Sequence, residues 1–96
     1  MPSISRFYII TDIAMTPCGT IMAVNWRTKL ITELDRDGRV VKQFTSPEMQ
    51  QPTRIAVNSK SDVIIADNTA GCLFIFDNAG RLVITTLMTM FYSDMH

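Results

Sequence analysis

Thr53-Arg54-Ile55-Ala56-Val57-Asn58-Ser59-Lys60-Ser61-Asp62-Val63-Ile64-Ile65-Ala66-Asp67 decides the fold, because the chain carries the same pattern once before. Shifted by 42 residues, the sequence lies on itself without a gap. Thr11 meets Thr53, Ile13-Ala14 meets Ile55-Ala56, and Asn25 meets Asp67. Further along, Asp35 meets Asp77, Gly38-Arg39 meets Gly80-Arg81, and Val41 meets Val83. Apolar residues replace apolar ones between these points: Met15 with Val57, Ile21 with Val63, Ile31 with Leu73, Leu34 with Phe76. Agreement concentrates at turns and at the centres of apolar runs, where a shared fold requires it. A repeat of this length marks stacked units, each too small to bury its own apolar face.

Each unit reads as four strands. Residues 54–57 make a short first strand, and Asn58-Ser59-Lys60-Ser61 is turn chemistry. Residues 62–67 form a nearly continuous apolar run, as expected of a strand covered on both faces. Asn68-Thr69-Ala70-Gly71 breaks that run, and Cys72-Leu73-Phe74-Ile75-Phe76 is rich in aromatic and β-branched residues. Asp77-Asn78-Ala79-Gly80 turns the chain into a last strand at 81–85. The first unit repeats this with strands at 13–15, 21–25, 30–34 and 39–44.

Four short strands recurring at this period are the pattern of a propeller blade. The predicted fold class is all-β: two consecutive four-stranded antiparallel blades of a β-propeller, six-bladed when complete. The expected division is 1–12 as the end of a preceding blade or an N-terminal strand, 13–45 as blade one and 46–54 as a connection. Residues 55–87 then form blade two, and 88–96 a tail.

The turns Asp35-Arg36-Asp37-Gly38 and Asp77-Asn78-Ala79-Gly80 fit hairpins. Aspartate bonds backbone amides two residues on, and glycine supplies the positive φ. Asp-x-Asp-Gly also opens a calcium loop. Here, however, Arg39 and Val41 occupy later ligand places and Ser46 stands at the twelfth, where a glutamate belongs.

Hydrophobic content of 47% against 19% charged argues for a folded chain. Nine basic and nine acidic residues cancel, so contact with nucleic acid or an anionic membrane would need a local patch. Cys18 and Cys72 are too few for a disulfide scaffold and lie at opposite ends of their units, so free thiols and a cytoplasmic setting are expected. Neither a signal-peptide pattern at the N-terminus nor an apolar run of roughly 20 residues is present. No membrane partner is expected.

The pieces Pro52-Thr53-Arg54-Ile55-Ala56-Val57, Val63-Ile64-Ile65-Ala66-Asp67 and Leu73-Phe74-Ile75-Phe76-Asp77-Asn78-Ala79-Gly80-Arg81-Leu82-Val83 resemble the pattern of NHL-repeat propellers. The resemblance covers roughly residues 11–86. The Asn-His-Leu stretch that names the family is replaced here by Thr28-Lys29-Leu30 and Ala70-Gly71-Cys72. Such repeats occur in tripartite-motif ubiquitin ligases and in translational regulators, where the propeller captures protein or RNA. The resemblance implies a recognition role; without a RING, B-box or coiled-coil region, it implies no ligase activity.

By the same resemblance, partners dock on the rim that gathers the loops after each second strand and the blade-to-blade connection. Here that rim would carry Asn25, Trp26, Arg27, Thr28 and Lys29, then Asp67, Asn68 and Thr69, with Glu48, Gln50, Gln51 and Arg54. Trp26, Arg27 and Lys29 form the leading candidate: an aromatic flanked by cations suits phosphate, an acidic peptide or stacked bases. The bland alternative is a Trp26 folded over its own blade beside ordinary solvated charges. Gln51, Asn68 and Arg54 complete the candidate binding set. Arg54, near the channel mouth, either meets a ligand or pairs with Asp12 or Asp67. Asn25 and Asp67 end equivalent strands and are expected to bond the amides of the following turn. Met88, Met90, Phe91 and Tyr92 could instead form a docking strand, and His96 belongs to the tail.

The expected function is a non-catalytic binding module for a protein or peptide, with RNA as the second partner class and no cofactor or metal. A propeller enzyme such as a lactonase or amidating lyase would need His, Glu or Asp ligands in the channel. The only histidine is His96, and only Asp12, Asp67 and Asn25 lie near the mouth. Two blades also leave two apolar faces open. Three resolutions remain: an excerpt of a longer chain, a homo-trimer giving six blades, or a strained monomer.

Overall fold

A computed structural model describes residues 10–87. It contains eight strands: β1 Ile10–Met15, β2 Ile21–Asn25, β3 Leu30–Leu34, β4 Val40–Phe44, β5 Pro52–Val57, β6 Val63–Asp67, β7 Cys72–Phe76 and β8 Leu82–Leu87. They form two antiparallel sheets in simple up-and-down order, β1-β2-β3-β4 and β5-β6-β7-β8. The all-β, two-blade architecture expected from the repeat is what the structure shows. Both first strands begin earlier than predicted, at Ile10 and Pro52.

The two sheets are copies down to their irregularities. In the first, the register slips at Thr11, where Ile10 faces Asn25 and Asp12 faces Val24; in the second it slips at Thr53, between Pro52–Asp67 and Arg54–Ala66. A second bulge leaves Val41 over in one sheet and Val83 in the other. Bulges add local right-handed twist, so both sheets bend at the same two places.

The turns repeat with equal fidelity. Asp35 Oδ1 accepts the amides of Asp37 and Arg39 at 2.9 Å each, and Asp77 Oδ1 accepts those of Ala79 at 3.0 Å and Arg81 at 2.9 Å. At the other end, the Lys29 amide closes onto the Asn25 carbonyl and the Gly71 amide onto the Asp67 carbonyl, both at 2.8 Å.

The core lies between the sheets. One face of the first sheet supplies Met22, Val24 and Ile31; the second supplies Ile55, Val63, Ile65, Phe74 and Phe76. Each large apolar side chain so buried contributes roughly 1.5–3 kcal/mol. Phe44 joins from β4, its ring centroid 5.1 Å from that of Phe76 and tilted at 54°. Met49 enters the same core from the connection between the sheets and is 1% exposed. Among the described residues no helix is long and apolar enough to cross a membrane. Met88, Met90, Phe91, Tyr92 and His96 lie outside the described residues.

Candidate functional site

The candidate rim is built where strands β2 and β6 end. Asn25 Oδ1 accepts the amides of Arg27 at 3.0 Å and Thr28 at 3.1 Å, shaping the loop that holds Trp26, Arg27 and Lys29. Lys29 takes a left-handed backbone, φ 63°, at the position Gly71 occupies in the second sheet. Trp26 remains 39% exposed, and the Arg27 guanidinium carbon lies 6.0 Å from its ring centroid. That distance is the outer limit for an attraction between cation and ring. Trp26 and Arg27 thus present one joint surface, with Lys29 two residues on.

Asp67 does more than its counterpart. Its Oδ1 accepts the Ala70 amide at 2.8 Å, as expected for a residue shaping the following turn. The same carboxylate also takes the Gln50 amide at 2.7 Å and the Gln51 amide at 3.0 Å. Asp67 is fully buried, and these backbone donors replace the water it has lost. The connection is therefore pinned to the second sheet. Its other end is pinned to the first, where the Thr45 hydroxyl donates to the Lys29 carbonyl at 2.5 Å.

Of the remaining candidates, Gln51 is exposed and its Oε1 accepts the Thr69 hydroxyl at 2.7 Å, while Asn68 is exposed beside it. Arg54 and Asp12 meet between the innermost strands: Arg54 Nε lies 3.3 Å from Asp12 Oδ2, which also accepts the Ile55 amide at 3.0 Å. The structure thus gathers Gln51, Asn68 and Thr69 on one loop cluster and Trp26, Arg27 and Lys29 on another, bridged by the pinned connection. Arg54 is engaged by Asp12.

Sequence reasoning overlooked two features. Met49, a lone apolar residue in the polar run Ser46-Pro47-Glu48-Met49-Gln50-Gln51, plugs the core. At the opposite rim, a cleft of about 200 Å³ between the sheets is lined by Thr16, Cys18, Glu33, Lys42, Ser61 and Asn78 among others. Within it Thr16 Oγ1 lies 3.2 Å from Cys18 Sγ and 2.6 Å from Thr20 Oγ1; Thr20 in turn donates to Glu33 Oε2 at 2.6 Å. Glu33 also faces Lys42 Nζ at 3.6 Å. Hydrogen bonding to the Thr16 hydroxyl, then to that of Thr20, holds the Cys18 thiol below its ordinary range. Among the described residues, no group of three or more His, Cys, Asp or Glu side chains is placed to hold a metal ion.

No family model matches the sequence, and no curated protein sequence does either. Solved structures do. A streptogramin B lyase is similar over 78% of this chain and 25% of its own, with 21% identity and a TM-score of 0.68. A catalytically inactive virginiamycin B lyase from Staphylococcus aureus, solved with quinupristin, matches over 77% and 25% at 17% identity, with a TM-score of 0.68. Hydrazine synthase from Kuenenia stuttgartiensis matches over 80% and 22% at 18% identity, with a TM-score of 0.71.

The chain thus spans about a quarter of the length of these proteins. At such identities the shared feature is the propeller-blade fold, and nothing in the likeness singles out the NHL kind. The expectation that the chain is not an enzyme does not stand, because a lyase is built on the same fold. The physical reason is that chemistry on a propeller resides in side chains placed on its loops and inner strands, which a blade pattern neither supplies nor forbids. What the comparisons establish is that this chain has the fold of two β-propeller blades.

Proposed function

We propose that these blades serve a recognition surface of the NHL-like kind, which docks a protein or peptide on the loop rim. The partner's acidic groups would meet Arg27 and Lys29, and its apolar groups Trp26. Gln51 and Asn68 would add polar contacts along the pinned connection.

The observation that carries this reading is the anchoring of the connection at both ends, by Asp67 and by Thr45, beside a Trp26 left 39% exposed. A fixed backbone reduces the entropy lost on docking, and Trp and Arg dominate interface energetics. The reading concerns recognition alone and is compatible with chemistry performed on whatever is bound.

Isothermal titration calorimetry with acidic peptides tests it, a readout that does not depend on Trp26, the chain's single tryptophan. Binding should weaken at least tenfold in Trp26→Ala and in Arg27→Glu, with modest dependence on salt. A single-stranded RNA probe that binds instead, with affinity falling steeply as salt rises, would move the partner class to RNA. Binding of either probe that neither substitution disturbs would refute the rim as the site.

A further inference from the structure

We infer that Lys29 is the specificity-determining residue of the rim: its ammonium selects a peptide that carries a carboxylate, while Arg27 chiefly supports Trp26. This rests on the recognition surface proposed above and assigns that surface's charge preference to one side chain.

The β2–β3 and β6–β7 loops share one backbone. Lys29 has φ 63°, and Gly71, 42 residues on, has φ 69°. The amide of each donates to the carbonyl four residues back, Asn25 in one loop and Asp67 in the other, both at 2.8 Å. Glycine reaches this left-handed conformation without steric cost, whereas a Cβ opposes it. The second loop folds with glycine, so the turn makes no demand for lysine. Lysine here weakens the fold, and strain retained in this way belongs with a functional contact.

The rest of the structure gives the ammonium no other task. Among the described residues the ion pairs are Glu33–Lys42, Asp12–Arg54 and Asp77–Arg81, and Lys29 enters none of them. The Thr45 hydroxyl donates to the Lys29 carbonyl, so the root of the side chain is held on both sides.

Charge divides between the loops. Trp26-Arg27-Thr28-Lys29 carries two cations, and its counterpart Asn68-Thr69-Ala70-Gly71 carries none. Arg27 is already engaged by the Trp26 ring, 6.0 Å from its centroid. That leaves Lys29, a compact point charge with three donors, to meet the partner's carboxylate. Ser61, at φ 65°, is the other described non-glycine residue with such a backbone, where the first sheet has Gly19. It lines the cleft on the opposite rim and serves as the control.

Calorimetry would use the acidic peptide that binds the parent chain best, and the same peptide with its carboxylates converted to amides. The parent should prefer the acidic form by about tenfold or more. In Lys29→Gly the preference should fall to about twofold or less, since a charge-assisted contact is lost. The thermal midpoint of that variant should rise by about 2–4 °C as the strain is relieved. Arg27→Gln should weaken both peptides alike and keep the preference. Ser61→Gly should raise the midpoint and leave both affinities unchanged. A parent chain that binds neither peptide would refute the recognition surface, and the role of Lys29 with it. Four other results would overturn the assignment while leaving the surface standing. These are a preference that survives in Lys29→Gly, one lost in Arg27→Gln, one lost in Ser61→Gly, and a Lys29→Gly chain no more stable than the parent.

Discussion

Asp67 shows how one buried carboxylate can hold two elements together. It has no exposure, and its oxygens take amides from Gln50, Gln51 and Ala70, so the connection and the β6–β7 turn converge on it. In Asp67→Ala those donors lose their acceptor in a region closed to water. The expected loss is about 2–4 kcal/mol in denaturant unfolding, with the rim loosened as well. Cys18 is the opposite case, an exposed side chain whose behaviour is set by its neighbours. Its thiol lies below the ordinary 9.0, chiefly through the Thr16 hydroxyl. The thiolate is the reactive form, so alkylation of Cys18 should reach half-maximal rate below pH 9.0. Thr16→Val removes the leading cause, and the midpoint should move upward; an unmoved midpoint would show that Thr16 does not set it.

At the scale of elements, the hairpin turns carry the geometry. Gly80 has φ +84°, and a Cβ built there would lie 3.0 Å from Phe44 Cδ1. Gly38, its counterpart, has a similar φ but nothing within 4 Å. Gly80→Ala therefore adds a clash to the strain of a left-handed backbone, whereas Gly38→Ala adds strain alone. We expect a cost of about 1–3 kcal/mol for Gly80→Ala in thermal unfolding, and a smaller one at Gly38. The Asp-x-x-Gly spacing announced both turns in the sequence. Which glycine had a phenylalanine against it depended on how the sheets stack, and no spacing encodes that.

For the molecule as a whole, the connection is the element joining sheet to sheet, and Met49 is its plug. Met49→Ala should cost about 2–5 kcal/mol, as removal of a fully buried methionine from a packed core does. A cooperative unfolding transition that keeps its slope while its midpoint falls would show that both sheets still unfold together. The Asp12–Arg54 pair contributes less, since Arg54 is largely exposed and such pairs contribute at most about 1 kcal/mol.

Strand content, turn positions and the two-blade order were legible in residues 11–86, because period-two patterning and Asp/Gly turn chemistry are local properties of the chain. The turn-shaping roles of Asn25 and Asp67 were legible for the same reason. The tertiary structure alone decided that Asp67 would also clasp Gln50 and Gln51, that Met49 would enter the core, and that Thr16, Cys18, Thr20 and Glu33 would form one hydrogen-bonded line. These contacts join strand ends to loops, or residues of one sheet to another. Their partners are set by twist and stacking, which act over the whole sheet and leave no mark on any single stretch of residues.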